Sequence, residues 1–63
     1  MPIVRIEMYQ GRTHEQKAEL AKVITDALVK IAKAPPEDTT IVFYDVAREN
    51  VAKAGVMVSD KTR

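Results

Sequence analysis

The sequence predicts an α/β (α+β) chain built on one βαβ unit, and three observations predict it. Residues 2 to 9 alternate between two faces, residues 13 to 33 repeat apolar side chains at spacings of three and four, and residues 39 to 46 are rich in β-branched and aromatic types. A strand, a crossover helix and a second strand in that order make the two strands parallel and the crossover right-handed.

In the first segment Pro2, Val4, Ile6 and Met8 share one face, and Ile3, Arg5, Glu7 and Tyr9 share the other. Gly11 interrupts the alternation. Thr13 followed three residues later by Gln16 reads as a capping box, in which the two side chains satisfy free amides at a helix start. The helix predicted from there runs to about Lys33. Its apolar face is Leu20, Val23, Ile24, Ala27, Leu28 and Ile31, with Lys17, Glu19, Lys22, Asp26 and Lys30 on other sides. Pro35 and Pro36 stop it, since proline lacks the amide donor and disfavours helical geometry in the residue before it.

In the second strand Ile41, Val42, Phe43 and Tyr44 are consecutive, so both faces want cover. One helix covers one face. The economical cover for the other is a second copy of the chain, and a charged residue at Phe43 is expected to dissociate or unfold the assembly. The tail carries Ala54-Gly55 and then Ser59-Asp60-Lys61, which predicts a turn and a short C-terminal hairpin or strand reaching onto a neighbour.

With 63 residues the chain forms a single domain, residues 1–63, and a domain of that size buries only about 60% of its unfolded surface. Small folds compensate with disulfides, a metal or oligomerisation. Cysteine is absent and His14 is the one histidine, which leaves oligomerisation. Ten basic and nine acidic residues are interspersed, so no basic stripe predicts a nucleic-acid partner. No apolar run approaches the roughly 20 residues that span a bilayer, and the start lacks the regions of a signal peptide. No membrane partner and a cytoplasmic location are expected.

Position two carries the chemical signal. Removal of an initiator methionine before proline exposes a secondary amine, and a free α-amino group titrates at about 7.7 to 8.0, lower when buried or beside a cation. Such an amine is a general base near neutral pH without help from histidine or carboxylate. Read without its neighbours, Met1-Pro2 is simply a tolerated strand start.

The neighbours change that reading. Gly11-Arg12-Thr13 with Glu15-Gln16-Lys17 closely resembles the Gly-Arg-(Thr/Ser)-x-Glu-Gln-Lys segment that follows the first strand of 4-oxalocrotonate tautomerases. Pro2-Ile3-Val4, Ala34-Pro35, Ala54-Gly55 and Ser59-Asp60-Lys61 fall where that family has similar elements, so the resemblance covers the whole chain. It implies a βαβ subunit assembled as a hexamer built from dimers. The implied activity is that of a cofactor-independent isomerase interconverting enol or dienol and keto forms of a small unsaturated oxo acid. Pro2 is then the general acid/base, and Arg12 binds a substrate carboxylate, a task suited to a permanently charged planar fork at a helix entrance. Neither cofactor nor metal is implied.

The chain also departs from the family. Thr40 stands where the resemblance expects a second arginine, and Val51 where it expects an aromatic wall; both are substrate-binding candidates. The glycine-rich turn of the family becomes Ala52-Lys53-Ala54-Gly55. Arg48 and Lys53 are the two cations that could replace the missing arginine. His14 is read as an exposed polar residue, and Tyr9 and Tyr44 each as pointing into a site or an interface, with the interface preferred. Two alternatives stay open: hydratase or dehalogenase-like chemistry on the same scaffold, and a non-catalytic subunit in a hetero-oligomer whose second chain type carries the complete site.

Overall fold

The computed structural model describes residues 1–61 and contains each element that the sequence patterns require. Strand β1 (Ile3–Tyr9) leads into helix α1 (His14–Ala32), and strand β2 (Thr40–Val46) returns beside β1. The two strands are parallel and in register from Ile3 opposite Thr40 to Tyr9 opposite Val46. Strands β3 (Ala52–Lys53) and β4 (Val56–Met57) form an antiparallel hairpin, and a short helix α2 (Val58–Lys61) follows. The fold is a βαβ unit with a C-terminal hairpin. Tight 3₁₀ turns at Pro36–Asp38 and Arg48–Asn50 flank β2.

Local chemistry sets the helix ends. The Thr13 hydroxyl accepts the Gln16 amide at 3.1 Å, and the Gln16 side chain accepts the Thr13 amide at 2.9 Å, so the predicted capping box is complete. At the other end Lys33 turns left-handed, φ 59° and ψ 30°, and its amide donates to the Leu28 carbonyl. The helix has therefore ended before the prolines can disturb it. The hairpin turn places Ala54 and Gly55 at φ 52° and 79°, the pair of positive values that a two-residue turn needs.

The β1 alternation holds: Val4, Ile6 and Met8 are half-buried, whereas Ile3, Arg5 and Glu7 are exposed. Phe43 lies opposite Ile6 and shares its face. On that face Lys17 of α1 meets Asp45 of β2 at 2.8 Å, which marks it as the side the helix covers. A charge at Phe43 would therefore strike the contact between helix and sheet before any contact between chains. The outer face carries Ile3, Val42 and Tyr44; Ile3 is 45% exposed and Tyr44 44%.

The helix face differs from the expectation. The half-buried positions are Lys17, Ala21, Ile24, Thr25, Leu28 and Val29, so Ile24 and Leu28 face the sheet as expected. Leu20, Val23, Ala27 and Ile31 form a second apolar stripe beside them and are exposed, Ile31 to 79%. Spacings of three and four fit both stripes, and the sheet of one chain is wide enough for one.

The chain is open. Its radius of gyration is 15.1 Å, against about 11 Å for a compact domain of this length. Its accessible surface is 4957 Å², against about 4000 Å² for a compact monomer of its mass. Among the described residues only Val58 is buried. No helix among them is long and apolar enough to cross a membrane.

Candidate active site

The parallel register sends the predicted site residues to opposite ends of the sheet. Pro2 stands at the entry to β1, where its carbonyl accepts the Thr40 amide at 3.0 Å. Thr40 is thus beside Pro2 through the backbone. Its side chain, however, lies in register with Ile3 and shares that residue's outer face, not the face of Val4. Pro2 is half-buried, while Met1 before it is 85% exposed.

Arg12 lies beyond the far end. Seven strand residues separate it from Pro2, a span of about 20 Å at the usual rise of roughly 3.3 Å per residue. One chain does not bring Pro2 and Arg12 together. At the Arg12 end the chain forms an open cleft of about 430 Å³ lined by Glu7, Met8, Tyr9, Arg12, Val46 and Val51.

Each wall has a local cause. The β ladder continues one step past β1 as the Gln10 amide donates to the Val46 carbonyl at 3.0 Å. The chain then leaves the sheet through Gly11 at φ 126°, a value that side chains beyond glycine rarely adopt. That turn aims Arg12 back across the strand end, where Nη1 donates to the Tyr9 carbonyl at 3.3 Å. The Lys17–Asp45 ion pair ties the first turns of α1 to the same end of β2. On the opposite wall Val51 is anchored by the Val58 amide, which donates to its carbonyl at 2.8 Å.

Arg48 belongs to this end as well. Its guanidinium lies 4.5 Å from the centroid of the Tyr9 ring, within range of a cation–π contact. Arg12, Val51 and Arg48 therefore gather at one end, and Pro2 and Thr40 at the other. Arg48 and Lys53 are both exposed and neither is among the cleft residues; Lys53 lies on β3. His14 is exposed in the first turn of α1. Tyr9, which the sequence left between a site and an interface, lines the cleft and contacts both arginines. Its contact with Arg48 was not legible because the two residues are joined only through the whole crossover. Among the described residues no group of three or more His, Cys, Asp or Glu side chains gathers in a way that could hold a metal ion.

Comparison with known proteins agrees with this architecture. The family model described as "Tautomerase enzyme" matches residues 2–61. A probable tautomerase of Lactococcus lactis subsp. lactis is 39% identical over 61 residues, covering 97% of this chain and 100% of the relative. The crystal structure of a 4-oxalocrotonate tautomerase homologue superposes with a TM-score of 0.90 at 30% identity, over 100% of both chains. A heterohexamer 4-oxalocrotonate tautomerase from Chloroflexus aurantiacus superposes with a TM-score of 0.86 at 28% identity, again over 100% of both chains.

Proposed function

This chain belongs to the tautomerase family, and on that footing we propose that Pro2, once Met1 is removed, moves a proton between the oxygen and a carbon of a small unsaturated oxo acid. Membership itself assigns an isomerase. The observation that carries the finer reading is that the family match begins at Pro2 and runs to residue 61.

The proposed reaction conserves every atom. The neutral secondary amine of Pro2 takes the enol proton, the oxygen lone pair closes the carbonyl, and the conjugated double bond shifts toward the carbon that will be protonated. The prolinium then returns the proton to that carbon, and the amine is restored. Arg12 holds the substrate carboxylate and draws electron density toward it as the carbanion-like charge develops. Val51 supplies an apolar wall, and the Thr40 hydroxyl offers a single neutral donor at the other end of the substrate.

Because Pro2 and Arg12 stand about 20 Å apart in one chain, the reading requires the Pro2 of one subunit to meet the Arg12 end of another. A homo-oligomer, with the hexamer as the expected form, is part of the proposal. The open shape and the exposed stripes on α1 and the outer sheet face support it. A hetero-oligomer is the second reading. It is favoured by the uncharged Thr40 and by the likeness to a heterohexameric tautomerase.

The test has two parts. Mass spectrometry of the protein should find Met1 absent. Pro2→Ala should then keep the fold and lose activity by up to about 10²- to 10⁴-fold, the usual worth of a positioned general acid/base, because the substitute amine is primary and unconstrained. An unchanged rate would place the base elsewhere. A pH–rate profile that rises with pH marks a neutral amine at work; one that falls marks a cationic proline and hydratase-like chemistry. Activity that appears only on mixing with a second chain type would favour the hetero-oligomer.

A further inference from the structure

Tyr9 holds two cations by two different means. Its carbonyl accepts from Arg12 Nη1 at 3.3 Å, and its ring lies under the Arg48 guanidinium at 4.5 Å. The donors of a guanidinium lie in its own plane, so stacking on an aromatic face leaves them free to meet an anion. Among the described residues the ion pairs are Lys17–Asp45 and Lys22–Asp26, and neither arginine takes part in one. Arg12 and Glu7 are the charged residues lining the cleft, and Arg48 adjoins it through the Tyr9 ring. Both guanidiniums thus keep donors for an anion bound at this end of the sheet.

The opposite end is built differently. Thr40 provides a hydroxyl, which donates one hydrogen bond and neutralises no charge. Arg48 does not fill that gap within the chain, because the sheet places it at the end where Arg12 already stands.

From this asymmetry we propose that Arg48 is a specificity-determining residue. It acts with Arg12 on one carboxylate, so that the site takes unsaturated oxo acids charged at one end and neutral at the other. The inference rests on the reading of Arg12 as carboxylate binder. Tyr9 is the positioning residue, since its ring fixes where Arg48 lies.

The test is binding by calorimetry, using a saturated monocarboxylate and the dicarboxylate of the same chain length, neither of which has an enol to react. Arg48→Gln should weaken the monocarboxylate by about tenfold or more, the scale of a charge-assisted hydrogen bond, and Arg12→Gln should do the same. Tyr9→Leu should weaken it when Arg48 is present and add little in the Arg48→Gln background, a non-additivity that general damage to the fold would not produce. Lys53→Gln, on the hairpin, should leave binding unchanged. The dicarboxylate should bind wild-type protein no more tightly than the monocarboxylate. If Arg48→Gln binds the monocarboxylate as wild type does, or weakens only the dicarboxylate, the two-arginine clamp is wrong. Because no turnover is measured, failure of Pro2 as the base would leave this outcome intact and distinguishable.

Discussion

The two ends of the central sheet differ in how much of a site one chain can build. At the β1 exit, Gly11, the Lys17–Asp45 pair and the Val58–Val51 hydrogen bond hold Arg12, Tyr9 and Val51 around a cleft. At the β1 entry, Pro2 has a backbone partner in Thr40 and an exposed methionine before it. In the function proposed above, the exit is a binding surface without a base, and the entry is a base without a binding surface. Parallel pairing makes this so: the crossover returns β2 beside β1 in the same direction, and nothing folds one end onto the other. In that proposal completion comes from another chain.

The sharpest way to break that comparison is complementation. Pro2→Ala and Arg12→Ala should each be nearly inactive alone, and refolding them together should restore on the order of a quarter of wild-type activity, since randomly mixed subunits pair an intact entry with an intact exit that often. No recovery would mean that both ends of a site come from the same chain. Next in size is Gly11→Ala. It should cost about 1–2 kcal/mol in a denaturant titration, because alanine is strained at φ 126°, and it should raise the Michaelis constant by misdirecting Arg12. A variant of unchanged stability would show that the exit does not depend on that turn. The smallest effect belongs to Asp45→Asn. The Lys17–Asp45 pair is partly solvated, with Asp45 45% exposed, so its loss should cost about 0.5–1 kcal/mol and matter less in high salt. A larger, salt-insensitive loss would show that the pair fastens helix to sheet more firmly than a surface contact does.

Much of the fold was legible because its signals are local. The capping box needs only Thr13 and Gln16, and the β1 faces need only a period of two. The helix face was half legible, and the reason is physical. A helix that meets its own sheet on one side and has a second apolar stripe on another carries both sets of spacings, and Leu20, Val23, Ala27 and Ile31 are as periodic as the residues that turn inward. Periodicity reports that a surface is apolar, not which neighbour covers it. The site divided in the same way. Gly11-Arg12-Thr13 made one element of the proposed site legible at once, because a glycine turn and a helix start act within a few residues. Arg48 reaching Tyr9 depends on the register of two strands across the crossover, which no local pattern reports.

A slab 14 Å through its thinnest dimension, with one buried side chain among its described residues, has almost no interior on which its stability can rest. In the assembly we propose, the missing interior is shared property, and dilution should act as a denaturant. The melting temperature should then climb with protein concentration, as mass action demands when only the associated state is folded, and fold and quaternary structure would be lost in one transition.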